Sequence, residues 1–110
     1  MQIDIHARHL AHTPELDELA RRRLAYALGR FSTRIKRVIL RLDDVNGPKG
    51  GEDIAVIAEV ELLPTGNVVV KGSYPSAEHA ICTAAERLRH CLLRQSGRVR
   101  SHLKDASFAN

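Results

Sequence analysis

At 110 residues, 44% of them apolar, and with a formal net charge of +4, the chain is sized for one domain around a single thin core. Its aromatics are only Tyr26, Phe31, Tyr74 and Phe108, so the core is expected to be aliphatic, and recognition by stacking unpaired bases is disfavoured. No apolar run approaches the ~20 residues of a membrane span, the opening Met1-Gln2-Ile3-Asp4-Ile5 is no signal peptide, and Cys82 and Cys91 are too few for a disulfide framework, which leaves a soluble cytoplasmic domain with reduced thiols.

Gln2 to His6 alternates polar and apolar residues and predicts a short half-buried strand. Thr13-Pro14-Glu15-Leu16 predicts a helix start, with Thr13 as N-cap, Pro14 at the first helical position and acids in the first turn. The apolar spacing of Leu16, Leu19, Ala20, Leu24, Ala27, Leu28 and Phe31 carries that helix to Phe31, with Gly29 weakening its last turn. Arg37 to Asp43 predicts a second strand with Val38, Leu40 and Leu42 on one face. Asn46 to Gly51 is a loop, and Asp53 to Leu62 a third strand with a clean period of two. Pro64 to Asn67 turns the chain into a fourth strand that begins at Val68. Ser76 is the expected N-cap of a second helix, whose apolar face runs from Ala77 through Ala84 and Leu88 to Gln95. Ser96-Gly97 ends or frays it.

The order β-α-β-β-β-α predicts an α+β two-layer sandwich: a four-stranded sheet, its last three strands an antiparallel meander, with both helices on one face. One domain is expected over residues 1–104, with a disordered tail at 105–110. On that scaffold the charges are sorted. Leu19 to Leu42 holds eight basic residues and no acid, Arg87 to Lys104 holds six and no acid, and the acids gather between Asp43 and Leu62.

Successive helical residues turn by about 100°, which places Arg22, Arg23, Tyr26 and Arg30 together on one flank of the first helix and Arg21 on the other. On the second helix Arg87, His90, Arg94 and Arg98 share a flank, with Arg89 and Arg100 opposite. A solvated face normally mixes signs in i,i+4 pairs, so acid-free stretches on adjacent helices point to a polyanion. Glu59 and Glu61 are expected on the solvent face of the sheet beside Arg41 and Lys71, making that side the acidic opposite of the helix side.

Catalytic and metal chemistry finds no footing. His6, His9 and His12 straddle the end of a strand and the approach to a cap, so their rings need not converge. Cys82 and Cys91 fall on opposite sides of a helix, Cys91 toward the core. Gly47-Pro48-Lys49-Gly50-Gly51 lacks the spacing of a phosphate-binding loop and leads into a strand rather than a helix. Acids flanking that loop match no divalent-ion motif. No enzyme, cofactor, metal or small-molecule substrate is expected.

The element order, the Thr13-to-Phe31 helix, the Gly72-to-Ser76 segment, Ala80-Ile81 and Arg87-Leu88 together resemble the bacterial ribosome hibernation-promoting factors and ribosome-associated inhibitors, over nearly the whole chain to about Arg100. That resemblance implies a domain related in shape to double-stranded RNA-binding domains. It implies binding to the small ribosomal subunit and its rRNA between head and body, where messenger and transfer RNA lie, so that translation stops and idle ribosomes are preserved. It carries an RNA-facing role onto Arg23 of the first helix and onto Arg87, Arg94, Arg98 and Arg100 of the second, with His90 where an arginine can occur; Arg22 and Arg30 join them on charge. Gly97 departs from the family, whose second helix usually runs on. The Asn46-to-Gly51 loop is absent from its shortest members. The chain corresponds to the short form, expected to act as a monomer without the second domain that dimerises ribosomes. Two other readings stay open: a module for structured RNA in general, and a regulatory subunit whose basic faces meet an acidic protein.

Overall fold

The computed structural model describes residues 1–45 and 53–97. The Asn46-to-Gly51 loop, Arg98, Arg100 and the tail at 105–110 lie outside the described residues. Elements follow in the order β1 (Gln2–Arg8), α1 (Pro14–Leu28), a 3-10 segment (Gly29–Arg34), β2 (Ile35–Asp44), β3 (Ile54–Leu62), β4 (Asn67–Tyr74) and α2 (Ala77–Gly97). The sheet order is β1-β2-β3-β4. β1 runs parallel to β2, which is possible because α1 supplies the long crossover a parallel pair needs. β2, β3 and β4 form the expected antiparallel meander.

Both caps form as the sequence suggests. Leu16 N–H donates to Thr13 Oγ1 at 3.1 Å, and His79 N–H donates to Ser76 Oγ at 3.1 Å. The first helix does not stay α-helical to Phe31. Past Leu28 it tightens into the 3-10 segment, where Ser32 and Thr33 are weak helix formers and i→i+3 bonds such as Ile35 N–H to Ser32 O satisfy the end of the chain. Phe31 stays buried all the same.

The core lies between sheet and helices and is almost wholly aliphatic. Leu24 and Leu28 of α1, Leu40 and Leu42 of β2, Val56 and Val60 of β3, Val68 of β4, and Ile81, Leu88 and Leu92 of α2 are all fully buried. Each contributes roughly 1.5–3 kcal/mol by leaving water. Gln95 ends the α2 stripe inside this core, and its Nε2 has no partner among the described residues. Cys91 is buried, which pushes its thiol pKa up, and Cys82 is half-buried.

Candidate nucleic-acid interface

The period of two that buries Val38, Leu40 and Leu42 sends Arg37, Ile39, Arg41 and Asp43 to the other face of the sheet. The long basic run is therefore divided between both faces of the molecule. Cross-strand register then fixes the ion pairs. Arg37 sits opposite Glu61 and next to β1; its guanidinium lies 3.3 Å from Glu61 and 3.6 Å from Asp4. The hydrogen bond to Glu61 raises the Arg37 pKa further. Glu59 accepts a hydrogen bond from Asn67 Nδ2. Arg41 and Lys71, expected beside Glu59 and Glu61, instead sit across from Ile57 on either side of β3. The outer face is also not acidic. Asp4, Asp43, Glu59 and Glu61 are matched there by Arg8, Arg37, Arg41 and Lys71.

The helix layer differs. Arg21 does leave the common flank: it donates to Asp17 Oδ2 at 2.7 Å and to the Ile3 carbonyl at 2.9 Å, tying α1 to β1. The bond from Arg21 to Asp17, with a second from His12, holds the Asp17 carboxyl below the usual carboxylate range. The opposite flank of α1 must therefore face α2. Arg22 is exposed and loosely paired with Glu18 at 3.6 Å. Arg23 is exposed with no ion-pair or hydrogen-bond partner among the described residues. Arg30 lies over the Phe31 ring, 5.6 Å from its centroid. Tyr26 projects into solvent.

On α2 the geometry sorts the basic residues into three groups. Arg87 leans over the edge strand, donating from Nη1 to the Lys71 carbonyl at 2.7 Å and to Tyr74 Oη at 3.3 Å. Gly72 makes this possible, because a Cβ there would stand 2.7 Å from the Tyr74 ring. Arg89 points the other way and lines a cleft between the helices with Glu86, Tyr26, Ala27 and Arg30. His90 and Arg94 are exposed. His90 lies 3.9 Å from Glu86, and Arg94 has no ion-pair or hydrogen-bond partner among the described residues.

The structure thus brings Arg30 and Arg89 together, leaves Arg22, Arg23, His90 and Arg94 exposed on the helix layer, and turns Arg87 away from α1. Arg98 and Arg100 are outside the described residues. Helical spacing separated Arg87 from Arg89 correctly. Only the way the two helices lie side by side, set by β1 lying parallel to β2, shows that the Arg89 flank is the inner one. His9, at φ 61°, meets Asp43 at 2.8 Å and His12 meets Asp17 at 2.8 Å, while His6 and His12 line one cleft with Arg8 and Arg41. Among the described residues no three metal-ligating side chains gather, and no helix is long and apolar enough to cross a membrane.

A four-stranded β-α-β-β-β-α sandwich of this kind is the fold of ribosomal subunit interface proteins. It superposes on the Protein Y N-terminal domain from Thermus thermophilus with a TM-score of 0.71 and 23% identity, covering 86% of this chain and 98% of that one. A ribosomal subunit interface protein from Coxiella burnetii gives a TM-score of 0.72 at 17% identity, covering 89% of this chain and 100% of that one. Residues 3–100 match the family described as sigma 54 modulation protein / S30EA ribosomal protein. The chain belongs to that family, which includes the hibernation-promoting factors. No curated protein sequence matches it.

Proposed function

We propose that this protein is a non-catalytic, ribosome-binding translation inhibitor of the bacterial cytoplasm. It occupies the messenger and transfer RNA channel of the small subunit with its helix layer against rRNA. The observation that carries this reading is the imbalance between the faces. On the sheet face the four acids Asp4, Asp43, Glu59 and Glu61 offset the four cations Arg8, Arg37, Arg41 and Lys71, whereas the helix layer leaves Arg23 and Arg94 unpaired among the described residues and offers Arg22, Arg30, Arg89 and His90 beside them. Unpaired guanidinium groups make bidentate, charge-assisted bonds to phosphate without first breaking internal ones. Family membership supplies the ribosome as the source of that phosphate.

The test is co-sedimentation of the full chain with purified small subunits. Wild-type protein travels with the subunit at low salt and is released as salt rises. Arg23→Glu with Arg94→Glu weakens the association roughly a hundredfold or more while the fold stays intact, because neither side chain supports an internal ion pair or hydrogen bond among the described residues. An affinity unchanged by this double reversal contradicts the assignment. Equal affinity for any RNA duplex in competition assigns the protein to structured RNA in general. A bound partner that persists after nuclease treatment assigns it to an acidic protein.

A further inference from the structure

Tyr26 is 84% exposed, more than any other large apolar side chain on the described surface. The remaining exposed ones, Met1, Val45, Ile57 and Leu63, lie off the helix layer. A lone exposed aromatic is ordinary on a protein surface. Here, however, the ring stands at the mouth of the cleft between α1 and α2, whose lining is Ala27, Arg30, Glu86 and Arg89. Ala27 is small and buried, so the floor of the cleft is open beside the ring. Arg30 is held near by its contact with Phe31. Glu86, the acid of the cleft wall, lies 3.2 Å from Arg89 and 3.9 Å from His90, so its charge is compensated and the slot stays positive.

We infer that this cleft is a slot for one unpaired nucleotide of an RNA, its base stacked on Tyr26 and its phosphate held by Arg30 and Arg89. The ring supplies a face that any base can stack upon, and the guanidinium groups can bind the phosphodiester on either side. A paired base inside a helix keeps its faces against its neighbours and cannot enter. The slot rests on the RNA-binding reading above and narrows it: the helix layer prefers RNA with an unpaired residue over a continuous duplex. The scarcity of aromatics limits such recognition to a single base, since the other described tyrosine, Tyr74, is engaged with Arg87.

Fluorescence anisotropy of the full chain with two labelled RNAs of equal phosphate count, a hairpin with an unpaired loop and a blunt duplex, tests this. Wild-type protein binds the hairpin more tightly. Tyr26→Ala weakens hairpin binding roughly tenfold and leaves duplex binding within about twofold. Tyr26→Phe keeps the hairpin affinity. With two tyrosines and no tryptophan in the chain, the hairpin quenches tyrosine emission in the wild type, and Tyr26→Phe removes that quenching. A Tyr26→Ala variant that binds both RNAs as the wild type does, or loses both equally, overturns the slot. Hairpin preference without small-subunit binding overturns the ribosomal assignment instead and leaves the slot standing.

Discussion

The two faces of this protein are built from similar charged side chains and use them in opposite ways. On the outer sheet face, strand register sets Arg37 between Asp4 and Glu61, so the guanidinium is already engaged. On the helix layer three of the acids serve particular cations, Asp17 for Arg21, Glu18 for Arg22 and Glu86 for Arg89 and His90, and leave Arg23 and Arg94 unpaired among the described residues. Acids offset the cations of the sheet face in number, whereas on the helix layer the arginines outnumber the acids.

This contrast can be broken directly. The largest effect is expected from Arg23→Glu with Arg94→Glu, which should weaken small-subunit binding roughly a hundredfold or more, since two charge-assisted bonds of about 1.5–3 kcal/mol each are removed. Reversing Arg41 and Lys71 on the sheet face should leave the same binding curve nearly unmoved. Next comes Gly72→Ala. Its Cβ meets the Tyr74 ring at 2.7 Å, so chemical denaturation should show a loss of about 1–3 kcal/mol from overpacking, together with release of Arg87 from Tyr74.

Arg37→Ala should cost about 1 kcal/mol or less, because the network is partly exposed, and should not change ribosome affinity. That outcome separates a stabilising cation from a binding one. The smallest effect concerns acid. The Asp17 pKa is lowered by Arg21 and then His12, so its contribution is complete above the ordinary carboxylate value and is lost as pH falls through the depressed folded-state value. An Asp17→Asn variant should therefore show a flatter decline of stability on acidification than the wild type.

Much of this was legible in the sequence because periodicity reports burial. The alternation in β3 and the Thr13 and Ser76 caps could be read residue by residue, and the aliphatic core followed from the same spacing. Helical spacing also separated Arg21 from Arg22 and Arg23, and Arg89 from Arg87. What could not be read depends on how elements meet. The irregularity between Ile35 and Arg37 helps set which β3 residue Arg37 faces, so Glu61 was not predictable as its partner. A helical wheel gives two flanks without saying which is inner, so the Arg89 cleft needed the parallel β1–β2 pairing. The hold of Tyr74 on Arg87 needed the close approach of the Tyr74 ring to Gly72.

The central claim, that the surplus of cations on the helix layer drives association, is tested most directly by the salt dependence of binding to purified small subunits. Affinity should be measured across salt for wild type, for Arg23→Ala with Arg94→Ala, and for Arg41→Ala with Lys71→Ala. The helix-layer pair should flatten the log–log slope by about two units, one for each phosphate no longer neutralised, and the sheet-face pair should leave it unchanged. Equal slopes for both pairs, or flattening by the sheet-face pair alone, would contradict the account.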